Sequence, residues 1–212
     1  MKTSRIILIV LFSFFYVSLS AQFFVGGNFG LNTSGGSTDN GTIKTDNPST
    51  ISFNFSPRVG EFLYEKLAAG VALNFSLSRT KTPGTTETID KSSTIGLSPF
   101  LRYYAIKLDK FSVFGQGNIG FSYSRSTTKV GGTLTNGPIT TNLYLNVVPG
   151  LAYDLSDKFS LETSINVLNF GYYQTTSKNG SAKDKTSSFG IGAGLDNIVT
   201  VGNISIGAIY KF

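Results

Sequence analysis

Four ionisable side chains, Arg58, Arg102, Glu162 and Lys211, occupy polar positions in stretches where apolar and polar residues alternate. In an extended strand successive side chains leave opposite faces, so each of the four lies opposite a row of Phe, Leu, Val, Ile or Tyr. Two guanidiniums, an ammonium and a carboxylate can neutralise one another in an interior with little water, where unpaired charge is costly. The expectation is a structural ion-pair network, with gating or proton conduction as the alternative. Tyr104 and Tyr144 share that face and are expected to fill space and hydrogen-bond across the interior.

Little else in the chain points to catalysis. With 0 His and 0 Cys among 212 residues there is no imidazole base, no thiolate nucleophile and no disulfide. No hydroxyl–carboxylate pair stands out from the abundant Ser and Thr, so no enzymatic activity and no cofactor are expected. Metal catalysis is poorly served. Asp39 and Asp46 are weak calcium candidates, better read as solvated carboxylates. Gly115-x-Gly117 and Gly190-x-Gly192-x-Gly194 repeat every second residue, without the helix that a phosphate-binding loop needs. They read as relief of crowding inside strands. Asn32-Thr33-Ser34 fits a glycosylation triplet in form only. The net charge is +6, but the basic residues are scattered, so no nucleic-acid partner is expected.

The elements that must position these residues read as strands. Seven alternating segments place apolar sets on one face: Phe23, Val25, Phe29 and Leu31; Ile51, Phe53, Phe55 and Val59; Val71, Leu73, Phe75 and Leu77; Ile95, Leu97, Leu101 and Tyr103; Phe111, Val113, Ile119, Phe121 and Tyr123; Leu143, Leu145, Val147, Leu151 and Tyr153; and Phe159, Leu161, Ile165 and Val167. Opposite them stand Asn, Ser, Gln, Arg and Glu. The last eight residues, Ser205 to Phe212, form an eighth strand with Ile206, Ala208, Tyr210 and Phe212 on its apolar face. The parity of Phe189, Ile191, Ala193 and Leu195 opposes that of Ile204, Ile206, Tyr210 and Phe212, so a bulge, or a turn at Asp196-Asn197, must switch faces. The preferred fold is an all-β, antiparallel up-and-down transmembrane β-barrel of eight strands, with residues 187–200 extended or bulged above the membrane. Ten strands is the alternative.

Connections alternate in length. Short ones are expected near residues 60–67, 107–110 and 156–158. Long polar loops are expected at 33–50, 79–92, 125–139 and 175–187. These four hold Asp39, Lys44, Asp46, Arg79, Lys81, Glu87, Asp90, Lys91, Arg125, Lys129, Lys178, Lys183, Asp184 and Lys185. Outer-membrane barrels keep short turns in the periplasm and long loops outside, which puts both chain ends at the periplasmic rim. The apolar faces carry rings near their ends, and Tyr103, Phe111, Tyr153, Phe159, Tyr210 and Phe212 would form the periplasmic girdle. Arg or Lys on a lipid face at the midplane would cost roughly 2 to 4 kcal/mol, and the central outward positions carry none.

The amino terminus reads as an export signal: Lys2 and Arg5, an apolar run from Ile6 to Val17, then Ser18-Leu19-Ser20-Ala21. Cleavage fits after Ser20 or Ala21, giving a leader at 1–21 and one domain at 22–212. Loss of Lys2 and Arg5 lowers the net charge to +4. At the other end Gly207, Tyr210 and Phe212 look like the signal recognised by the barrel assembly machinery.

The leader, the strand series and that ending together resemble the small outer-membrane β-barrel family, OmpA/OmpX-like, also called the outer membrane protein β-barrel domain or porin family. The resemblance implies location in the cell outer membrane and roles such as adhesion, surface protection or envelope integrity. A peptidoglycan-binding domain like that of larger OmpA-type members is not expected, nor is a cell-wall tether. The leading expectation is a monomeric structural or surface-interaction barrel whose external loops meet outer-membrane lipid or a protein partner. A narrow porin or secretion accessory is the alternative, and a lipid-modifying enzyme the third.

Overall fold

Ten strands make up the computed structural model, which describes residues 22–42, 44–165, 168–193 and 204–212. They are β1 (Gln22–Asp39), β2 (Lys44–Tyr64), β3 (Leu67–Thr82), β4 (Thr88–Leu108), β5 (Phe111–Val130), β6 (Thr133–Asp154), β7 (Phe159–Ile165), β8 (Leu168–Asn179), β9 (Ala182–Ala193) and β10 (Ile204–Lys211). Antiparallel pairing runs β5-β4-β3-β2-β1-β10-β7-β6, and a β5–β6 pairing closes these eight strands into a ring. The expected leader, Val167, Gly194 and the Asp196-Asn197 switch lie outside the described residues.

Along β6 the register shifts between β7 and β8. Gly150 of β6 faces Ser164 of β7, whereas Val147 faces Phe170 of β8. Three steps along β6 therefore match six along its neighbour, an odd excess that reverses which parity faces outward. Beyond this offset β8 continues along β6 and forms a hairpin with β9 around Gly180–Ser181. Ser187–Ala193, expected in a bulged segment above the membrane, belong to that hairpin's second strand.

The expected long loops are mostly sheet. β1 to β6 run for 16 to 22 residues, whereas crossing a bilayer takes about 9 to 11. The segments at 33–50, 79–92, 125–139 and 175–187 continue the ladders, and Gly131–Gly132, both with positive φ, turn one hairpin in two residues. Their Ser and Thr content suggested loops. Threonine is β-branched and favours the pleated surface, and in these segments Thr50 pairs its hydroxyl with Thr80 at 2.9 Å, with Ser52–Ser78 (3.0 Å) and Thr94–Ser124 (2.7 Å) pairing likewise just below them. At the opposite rim β2 likewise runs past Gly60 to Tyr64, leaving a turn at Glu65–Lys66. Asp109 adopts φ 47° in the next turn.

The apolar faces lie outside the ring. Phe29, Phe55, Phe75 and Ile95 form one cross-strand row, and all four are exposed. The interior is not the purely polar core expected. Phe24, Phe100, Phe114, Tyr104 and Ile209 are buried within it, with Phe62 packed against them. Three of these rings each face a glycine in the ladder: Phe24 with Gly60, Phe100 with Gly70 and Phe114 with Gly150. A methyl group at Gly60 would stand 2.5 Å from the Phe24 ring and one at Gly70 2.6 Å from Phe100, so glycine is what makes room for each ring.

Gly70→Ala should therefore destabilise the fold by about 1 to 3 kcal/mol, as overpacking does. Gly115, where an added methyl meets nothing within 4 Å, should tolerate Ala within about 0.5 kcal/mol. Urea unfolding followed by circular dichroism compares the two, and equal effects would contradict the packing role.

Candidate functional site

Strand register brings Arg58 of β2, Arg102 of β4 and Glu162 of β7 to one level inside the ring. Alternation aims each inward, and β10 between β1 and β7 carries the ring around to Glu162. The Glu162 carboxylate is shared: Arg58 Nη2 donates to Oε2 and Arg102 Nη1 to Oε1, while Arg102 Nη2 also reaches Oε2 at 3.3 Å. Arg102 is fully buried. Its Nε and Nη2 donate to the Gln116 side-chain carbonyl (3.0 and 2.6 Å), and Nη1 to the Tyr104 hydroxyl (3.2 Å). Its guanidinium carbon lies 4.1 Å from the Phe114 ring centroid, a cation–π contact.

Lys211 does not join these three. Its Nζ donates to Asp154 Oδ1 at 2.9 Å, and Ser160 donates to the same oxygen. Asp154 ends β6 and Lys211 ends β10, so this pair sits at the rim of the short turns. Asp154 was missed in the sequence because it follows the last apolar residue of its segment, where a carboxylate reads as a turn residue. Register supplies the signal: Asp154 faces Ser160 in the ladder. The cluster mixes serine, lysine and carboxylate, and the buried Ser160 hydroxyl donates to Asp154 within it.

Two layers flank the Arg–Glu–Arg cluster. Toward the short turns the rings of Phe24, Phe62, Phe100, Tyr104 and Phe114 contact one another, with centroids 5.5 to 6.4 Å apart. Toward the hairpins lies a polar cavity of about 190 Å³. Around it Gln116 donates to Asn118 (2.7 Å), Asn118 to Asn146 (2.9 Å) and Ser56 to Asn74 (3.0 Å), and the Ser98 and Tyr144 hydroxyls share a hydrogen at 2.7 Å. Tyr104 and Tyr144 thus take part in different layers. Among the described residues no three His, Cys, Asp or Glu side chains converge. What the arrangement can do is close the lumen and fix the ring's shape.

Gly207, Tyr210 and Phe212 do not enter the lumenal cluster. The Tyr210 and Phe212 rings meet edge to face on the outside, 5.2 Å apart, and Phe212 N–H donates to the Phe23 carbonyl at 2.9 Å. Gly207 faces Asn28 across the β1–β10 seam.

A closed antiparallel ring with a greasy exterior and a charged, ring-plugged interior is the architecture of outer-membrane β-barrel proteins. No known family profile matches the chain, and no curated protein matches it. Among solved structures it is similar to a major outer membrane protein of Thermus thermophilus, at 15% identity over 91% of this chain and 100% of that one, with a TM-score of 0.50. Lower TM-scores relate it to neisserial surface protein A (17% identity, 91% and 99% covered, 0.41) and to Ail, the attachment invasion locus protein of Yersinia pestis (15%, 92% and 100%, 0.38). The first of these shows a shared fold.

Removing the shared carboxylate leaves two guanidiniums facing each other in a closed space. Glu162→Gln should cost about 3 to 5 kcal/mol, whereas replacing Arg58, Arg102 and Glu162 together by Met, Met and Leu should recover most of that loss. Urea midpoints of the two variants in vesicles measure the difference, and a Glu162→Gln protein as stable as the parent would refute the shared-carboxylate role.

Proposed function

We propose that the chain is an integral protein of the cell outer membrane, a monomeric barrel with a structural or surface-interaction role and no catalytic step. The observation that carries this reading is the belt of exposed Phe, Leu, Ile, Val and Tyr on the ring strands, combined with a lumen closed by aromatic rings. Belts of this kind suit hydrocarbon, where each sheet edge must be paired because no water is present to satisfy it. The outward rings Tyr103, Phe111, Tyr153, Phe159, Tyr210 and Phe212 gather at the rim of the short turns and fit a headgroup girdle, with Phe111 and Tyr153 4.7 Å apart. In this reading the leader is removed, both ends of the domain face the periplasm and the sheet extension projects outside. Gly207, Tyr210 and Phe212 serve the assembly machinery. The narrow-porin alternative is disfavoured by the fully buried Phe24 and Arg102 across the lumen.

The absence of cysteine gives a direct test of orientation, because a single introduced thiol is unique in the chain. With a water-soluble maleimide, Leu73→Cys and Leu97→Cys should stay unlabelled until the membrane is dissolved, and Thr135→Cys should label on intact cells. Ser156→Cys should label only after the envelope is permeabilised. Labelling of Leu73→Cys in intact vesicles would overturn the membrane reading, and stable unitary conductance in a planar bilayer would favour the porin. Phe212→Ala should lower the amount of assembled barrel in cells while leaving refolding of the purified protein unchanged.

A further inference from the structure

The outward face above the apolar belt carries a feature that a merely solvated rim does not need. Along one cross-strand row Ile51 faces Arg79 and Arg79 faces Lys91; in the row beneath, Phe53 faces Leu77, Leu77 faces Ser93, Ser93 faces Arg125 and Arg125 faces Ile139. Below that come Phe55, Phe75, Ile95 and Tyr123. Arg79, Lys91 and Arg125 are exposed, and among the described residues no carboxylate pairs with them. Lys81 in the next row is matched by Glu87 at 2.6 Å. On the inner face at this level the acidic Asp90 accepts from Thr128 (2.5 Å), on the side of the sheet away from Arg79 and Lys91. Like charges directly opposite in a ladder are destabilising, which makes the Arg79–Lys91 pair costly unless an anion lies across it.

The three cations and the apolar residues beneath them line one groove. Its volume is about 840 Å³, and Leu31, Phe53 and Leu77 share it with Arg79, Lys91 and Arg125. Arg125 is fixed at its edge, with Nε donating to the Tyr123 hydroxyl at 3.0 Å and the guanidinium 5.4 Å from that ring's centroid. Resting on the membrane-integral reading above, we propose that this ledge binds a phosphorylated lipid of the outer leaflet. The phosphate lies across Arg79, Lys91 and Arg125, and an acyl chain descends over Leu77 and Phe53. Guanidinium and ammonium donors match phosphate oxygens, and the groove is continuous with the belt that faces acyl chains.

The test uses the protein purified in its folded form, carrying a bimane fluorophore at Ile95→Cys, and reconstituted in phosphatidylcholine vesicles. Phosphatidic acid with brominated acyl chains should quench the fluorophore at least roughly fivefold more effectively than brominated phosphatidylcholine, about the gain expected for one engaged cation near a membrane. That preference should vanish in Arg79→Gln/Lys91→Gln/Arg125→Gln and persist in Lys178→Gln/Lys183→Gln, whose charges lie on the β8–β9 hairpin. Equal quenching by both lipids in the parent protein would overturn the ledge while leaving the membrane reading standing. Loss of the preference in millimolar inorganic phosphate would show a phosphate-ion site in place of a lipid site and also overturn it. No quenching by either lipid would sink the membrane reading and the ledge with it.

Discussion

Closure of the sheet is the constraint from which the other features follow. A β-strand that leaves water cannot leave its N–H and C=O groups unpaired, and only a ring abolishes the two open edges that any flat sheet retains. Eight strands make the smallest common ring, with an interior just wide enough for side chains. That interior must then be filled without overlap. Here filling and closure are coupled, because Phe24, Phe100 and Phe114 fit only where Gly60, Gly70 and Gly150 face them across the ladder. The same geometry forces charge into company: a carboxylate reached by guanidiniums from β2 and β4 ties the wall that contains β7 to the walls opposite.

Much of the fold was legible because period-2 alternation is insensitive to where a strand ends. Phe53, Leu73, Leu97 and Leu145 all lie outward as the alternation requires, and the ring has eight strands. What alternation could not show was where polarity ceases to mean loop. The Ser- and Thr-rich stretches beyond the belt lack the apolar contrast that marks a strand, yet they continue the ladders, with Thr50 and Thr80 pairing their hydroxyls across strands and register shifts at Ser34/Gly36 and Arg125/Thr127. Inward aromatics were hidden for a related reason. Phe24, Phe100 and Phe114 stand on the polar parity, and only the register reveals the glycine opposite each one.

The candidate site was legible to the same degree. Arg58, Arg102 and Glu162 could be assigned to one interior by parity alone, and the register brings them together. Lys211 has the same parity but a different height, because β10 ends at the rim, and height depends on strand stagger, which composition does not encode. Its partner Asp154 stands at the end of a strand, where charge is unremarkable in a sequence and becomes a pair only when β6 and β10 are set on either side of β7.

Extending the ring beyond the belt as sheet has a consequence that mobile loops would not have. A lysine on a flexible loop samples many directions and loses side-chain entropy when it engages a partner, so isolated surface charges contribute little. A cation on a regular strand is confined to one face, and neighbouring strands place the next cation at ladder spacing. Arg79, Lys91 and Arg125 are thereby held on the outward side, directly above Phe75 and Ile95, while Asp90 is turned inward. The pleat that turns leucine outward in the belt is the same pleat that, one or two rows higher, turns basic groups toward whatever lies beside the barrel. The basic character of the exterior at that height is therefore set by register as much as by net charge.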